Sequence, residues 1–141
     1  MTLVEIAPGA LEAIRVHAAA AYPDECCGAL LGAPSDAGTT RVVETLALPN
    51  TTEERPGRRF LVRPADYRAA EARARETGAE LVGFYHSHPD HPARPSSYDL
   101  DHAWPNLSYL IVSVNDARLA DVRSWRLQDD RSHFLEETIR T

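Results

Sequence analysis

Apolar and polar positions change period several times along the chain, and each change marks an element. Residues 2–6 alternate and predict a short strand. Pro8 then stands where a first helical residue tolerates a missing N–H, and Leu11, Ile14, Ala18 and Ala21 recur at helical spacing. A helix is therefore predicted over 8–21, stopping ahead of Pro23. Residues 26–31 are continuously apolar and closed by Gly32, which suits a buried strand. Residues 41–48 are β-branched and partly alternating, and predict the next strand beyond the turn-rich 33–39. The polar stretch 50–57 contains Pro56 and reads as a loop, with a short strand over 59–62. Ala, Glu and Arg dominate 65–77, between Pro64 and a capping Gly78, and predict a second helix. Strands follow over 80–87, 109–114 and 120–127, with a short helix at 96–103; residues 132–139 suit either state. The order is that of an α/β fold, a central mixed β-sheet flanked by helices.

The chain has 141 residues, 43% hydrophobic and 26% charged, so one domain over 1–141 with one core is expected, and disordered or fibrous classes are excluded. The longest apolar runs, 26–32 and 109–114, stop far short of the roughly 20 residues of a membrane span. Fifteen basic residues against 21 acidic ones give a net charge of −6, which argues against a nucleic-acid partner. The start of the chain lacks the basic region of a secretory signal. Cys26 and Cys27 are adjacent, which rarely meets disulfide geometry. Both points favour a reducing, cytoplasmic setting.

Candidate chemistry concentrates where three of the six histidines fall, within residues 85–92. His86 and His88 are two apart on a predicted strand, so both imidazoles share one face and form a natural pair of metal ligands. A carboxylate would complete the set. Asp90 follows Pro89 directly and would have to fold back on its own strand, whereas Asp99 comes after a Pro-rich loop that returns the chain; Asp101 lies just beyond. Ser96-x-x-Asp99 is also a helix-start pattern, in which the serine oxygen caps free amides. The two roles are compatible, because a capped helix start is a rigid platform. Two histidines and a carboxylate leave a fourth tetrahedral position for water, as in hydrolytic zinc sites, and a base to take its proton is still useful. Glu25 is the best candidate, at the head of the apolar run; an exposed loop position after Pro23 is the competing reading. There is no His-Glu-x-x-His, Pro-Cys-x-x-Cys, phosphate loop or Gly-x-Ser-x-Gly elbow. Cys27 in its strand context reads as buried and inert.

His86-Ser87-His88, seven residues, Ser96, two residues and Asp99, with Glu25 upstream, resembles the signature of the JAMM (MPN+) metalloproteases. Residues 23–32 (PDECCGALLG) and 83–89 (GFYHSHP) resemble the glutamate segment and the metal strand of small bacterial members. The loop at Asn50, Phe60 and the helix from Ala65 also fit, so the resemblance covers roughly 8–114. It implies an MPN-like, cytidine-deaminase-like domain with Zn2+ held by His86, His88 and Asp99. Glu25 would be general base and then general acid, and Ser96, rather than the adjacent Ser97, would stabilise the oxyanion. Asp90 and His91 fall in the variable part of the motif, at the rim. Such proteins cleave peptide or isopeptide bonds beside the C-terminal glycines of ubiquitin-like proteins. The small bacterial ones resemble partners of β-grasp sulfur-carrier proteins, from which they remove a C-terminal extension. A Gly-Gly tail could add as a strand to a sheet edge near 50–62. There Arg59 and Phe60 are candidate substrate contacts, and Arg58 and Arg59 would face an acidic carrier or simply water. Two rival classes are a metal-free MPN binding scaffold and a zinc amidohydrolase acting on a small amide. Whether the domain pairs with itself as a homodimer is left open by the sequence.

Overall fold

A computed structural model describes residues 2–34, 38–49 and 63–141. In chain order it has β1 (Leu3–Ile6), α1 (Pro8–Ala21), β2 (Cys27–Pro34), β3 (Thr39–Leu48), α2 (Pro64–Glu76), β4 (Glu80–Pro89), α3 (Ser97–His102), β5 (Ser108–Asn115), β6 (Arg118–Leu127) and β7 (Phe134–Arg140). Helix α1 begins on Pro8 and buries Ala10, Ile14 and Ala18, each four residues after the last and so on one face. Helix α2 begins on Pro64, with Asp66 accepting the Arg63 N–H at 3.3 Å. It ends where Gly78 turns left-handed at φ 73°. There the amides of Ala79 and Gly78 reach back to the carbonyls of Ala74 and Arg75, at 2.8 and 3.2 Å.

The strands lie in the order β1-β3-β2-β4-β5-β6-β7, and β1 pairs in parallel with both β3 and β7, so the sheet closes on itself. Strands β4 and β5 are also parallel, and the remaining pairs are antiparallel. Alternate residues of the apolar run serve opposite faces. Cys26 and Leu30 join the core under α1, with Ile14, Val42, Tyr85 and Leu110. Cys27, Ala29 and Leu31 join a second core with Ala70, Ala74, Phe84 and Leu107. Leu30 and Leu31 are fully buried, each contributing about 1.5–3 kcal/mol, so this one strand ties both cores to a single backbone. That two-sided burial is why the run is continuous instead of alternating.

The structure agrees with the predicted mixed sheet and flanking helices, and differs at several ends. Gly32 does not stop β2, which runs on to Pro34 past a register shift at Leu31/Gly32. A Cβ at Gly32 would lie 1.8 Å from the Arg41 carbonyl oxygen, so this glycine marks a close strand approach and not a terminus. Strand β4 continues to Pro89 and so includes both histidines. The last segment is a strand, paired with β6 and β1. At this seam the buried Glu137 accepts hydrogen bonds from Thr2 Oγ1 (2.6 Å), Ser124 Oγ (2.9 Å) and Arg126 Nε (3.1 Å). The predicted loop at 50–57 and strand at 59–62, with Arg58, Arg59 and Phe60, lie outside the described residues. Among the described residues no helix is long and apolar enough to cross a membrane.

Candidate active site

The ladder between β2 and β4 sets the site. Cys27 pairs with His86, the Ser87 amide donates to the Cys26 carbonyl at 3.1 Å, and the Cys26 amide donates to Ser87 Oγ at 2.9 Å. Glu25 lies just before this ladder, close enough for its charge to act on His88. His86 and His88 share the face of Phe84, towards the α2 and α3 side, while Ser87 points the other way and locks the two strands. On the far side of β4, Gly83 meets β5 so closely that a Cβ would lie 2.0 Å from the Ser108 carbonyl oxygen. The strand that carries His86 and His88 is thus fixed along both edges.

Asp99 is delivered by α3. Ser96 caps this helix: its Oγ accepts the Asp99 N–H at 3.1 Å, and its own N–H donates to Asp99 Oδ2 at 2.8 Å. The same Oδ2 lies 3.4 Å from His86 Nε2 and 3.3 Å from His88 Nε2, and the two Nε2 atoms are 3.0 Å apart. Capping and convergence on the histidines are therefore carried by one carboxylate oxygen. His88 Nδ1 is 2.9 Å from the Pro92 carbonyl, which can only accept, so Nδ1 carries a proton; in the neutral imidazole Nε2 would then offer its lone pair to a metal.

Three donor atoms, two imidazole nitrogens and a carboxylate oxygen, form a buried triangle that can hold a metal ion. A tetrahedral zinc with ligands at about 2.0–2.1 Å keeps them about 3.3–3.4 Å apart, close to the observed edges. Burial pushes the His86 imidazole below its ordinary value despite the Asp99 charge beside it, which suits a neutral ligand. Burial also opposes charge on His88, but its bonds to Asp99 and Pro92 and the Asp99 and Glu25 carboxylates outweigh that and raise it. Asp99 is held well below the usual carboxylate range. Its burial is overcome by His86, by bonds from both imidazoles and by the Ser96 amide.

Glu25 is 5% exposed, so it is not the solvated loop residue of the competing reading. With His88, His91, Arg94 and Ser96 it lines a cleft of about 330 Å³. Burial pushes the Cys27 thiol up to about 12, which removes it as a nucleophile at neutral pH. Asp90 is exposed, has φ 59°, and takes the Tyr22 hydroxyl at 2.9 Å on each carboxylate oxygen, so it is a loop clamp at the rim. Sequence reasoning missed two features. One is the Pro92 carbonyl that sets the His88 tautomer, since backbone atoms leave no residue-type signal. The other is Arg94, which lines the cleft from a loop with no periodicity.

A family described as prokaryotic homologs of the JAB domain matches residues 8–128. The chain is 32% identical over 127 residues to a CysO-cysteine peptidase of Mycobacterium tuberculosis, covering 84% of this chain and 79% of that one. It is 36% identical over 100 residues to a desampylase of Haloferax volcanii, covering 70% and 69%. A tail tip assembly protein K of Escherichia phage N15 is 38% identical over 89 residues, 63% of this chain; the chain spans about a third (32%) of that protein's length. Among solved structures, a Salinibacter ruber protein is similar at a TM-score of 0.76 and 47% identity, covering 97% and 91% of the two chains. A JAB1/MPN domain protein from Archaeoglobus fulgidus shares the fold at a TM-score of 0.58 and 21% identity, with 100% coverage of both.

Proposed function

Because the chain belongs to the prokaryotic JAB family, we propose that it is a hydrolase of the JAMM type, a zinc-dependent peptidase. On this reading it cuts the amide bond at the C-terminal glycine end of a ubiquitin-like, β-grasp protein of the sulfur-carrier kind. The observation that carries the reading is the buried His86–His88–Asp99 triangle beside a buried Glu25 that lines a cleft of about 330 Å³. The relatives named as a desampylase and a CysO-cysteine peptidase support the same substrate class.

His86, His88 and Asp99 would hold the ion, whose chemistry there is to polarise the scissile carbonyl and bring the pKa of water towards about 7. Glu25 takes the proton as water attacks the carbonyl carbon. The new C–O bond forms, the C–N bond breaks, and Glu25 returns the proton to the leaving nitrogen, giving an acid and an amine. Ser96 Oγ accepts the Asp99 N–H, which leaves its hydroxyl proton free to donate to the developing oxyanion. The complete donor set weighs against a metal-free binding scaffold.

The test is intact-mass analysis of β-grasp carriers from the same genome, each bearing a C-terminal extension, after incubation with zinc-loaded protein. Loss of the extension mass is expected. A fully zinc-loaded protein that leaves every carrier uncut overturns the reading.

A further inference from the structure

The cleft holds a permanently charged group that hydrolysis of the amide does not itself require. Arg94 is an exposed guanidinium lining the same cleft as Glu25, His88 and Ser96, and among the described residues no carboxylate pairs with it. In a chain of net charge −6, an arginine that no described carboxylate pairs with, sharing a cleft with a buried glutamate, is set up for an outside anion.

Its backbone is held rather than loose. Three consecutive carbonyls of the loop accept side-chain bonds from the sheet: His91 from Ser113 Oγ, Pro92 from His88 Nδ1 at 2.9 Å, and Ala93 from Trp125 Nε1 at 3.0 Å. The Arg94 amide then closes onto the Pro92 carbonyl at 2.8 Å, and Ala93 is buried beneath. The base of Arg94 is thereby fixed relative to His88, which lowers the entropic cost of using its charge.

We propose that Arg94 recognises the free carboxylate of a residue lying one position beyond the scissile amide. The protein would then trim a C-terminal residue from a linear carrier in preference to opening an isopeptide bond. This rests on the hydrolase reading above and deepens it. The chemistry is specific. The glycine tail on the acyl side is uncharged, whereas in a linear substrate the terminal carboxyl carbon sits two bonds from the scissile nitrogen. In an isopeptide the leaving group is a lysine side chain, and the nearest carboxyl is many bonds away and tied into a main chain.

The experiment uses zinc-loaded protein and one carrier in three forms: ending Gly-Gly-Ala with a free carboxylate, the same with a terminal amide, and ending Gly-Gly linked to the lysine of an end-blocked peptide. The acid form should be cut with kcat/KM about 10-fold or more above the amide form, mainly through KM. Arg94→Ala should bring that ratio near one, and Arg94→Lys should keep part of it, because the charge remains while the planar fork does not. Calorimetry with Glu25→Gln protein should show the same acid-over-amide preference without turnover. If wild type cuts acid and amide alike, or Arg94→Ala slows both equally, Arg94's role is overturned and the hydrolase reading stands. If no form is cut, both fall together.

Discussion

Ser96 and Asp99 hold each other twice, the serine oxygen accepting the aspartate amide at 3.1 Å and the aspartate Oδ2 accepting the serine amide at 2.8 Å. One hydroxyl thus serves as helix cap and faces the cleft. Ser96→Ala should cost about 1 kcal/mol of stability through the lost cap. It should also lower kcat by roughly 100-fold through the lost oxyanion donor, with zinc content unchanged. Thermal unfolding, metal analysis and kinetics on one preparation separate the two effects. A kcat loss matched by loss of zinc would mean that the serine only holds Asp99 in place.

Zinc content tests the triangle directly. Wild type should hold about one zinc per chain, and His88→Ala close to none, because a two-donor remnant lacks the usual three protein ligands. Free zinc at 100-fold its Kd should stabilise wild type by about 2.7 kcal/mol, seen as a raised Tm that chelator reverses. Equal zinc in both proteins would rule the site out.

Glu25→Gln preserves shape and removes the proton acceptor. It should retain zinc and lose roughly 100-fold to 10,000-fold in kcat. Normal turnover in this variant would refute the assigned base.

The Gly83 contact can be read as stability. An alanine there places Cβ 2.0 Å from a backbone carbonyl of β5, which no rotamer change relieves. Gly83→Ala should cost about 3 kcal/mol, at the upper end of overpacking penalties, and should weaken zinc binding because β4 carries both histidines. Chemical denaturation and metal analysis would show the two losses together.

His17 gives a pH signature away from the metal site. Its Nδ1 lies 2.6 Å from the Tyr85 hydroxyl, and burial lowers its pKa. With the folded value below the unfolded one, its contribution is present above the unfolded pKa of about 6.5 and is lost as pH falls through the folded value. Wild type should therefore lose stability as pH falls below about 6.5 by more than His17→Gln does, as read from denaturation midpoints. Parallel curves would show that His17 is not responsible.

Local pattern carried much of the site. The strand period put His86 and His88 on one face, and the return of the chain after the prolines brought Asp99 to them. The apolar run behind Glu25 argued against full solvation but left an exposed loop position open, and the structure buries the residue. What local pattern could not carry was anything decided by distant backbone. Gly32 looks like a stop in sequence because its reason, the Arg41 carbonyl, belongs to another strand. The strand state of 134–140 depends on partners in β6 and on β1, whose residues are far away in the chain. Arg94 stands out only once the loop carbonyls are seen to be pinned.

The closing of the sheet by its first and last strands bears on how the protein comes to be folded. Thr2 and Glu137, hydrogen-bonded at the seam, are 135 residues apart, and β2 meets β4 across 48 to 59. Contacts of that separation require large loops to be closed before they return any free energy, so folding is expected to be slow for the size, with the seam among the last features to form. Loss of β7 would then do more than strip an outer strand. It would leave β1 and β6 each with an unpaired edge, in a chain that carries His86 and His88 on β4, across the ring from the seam.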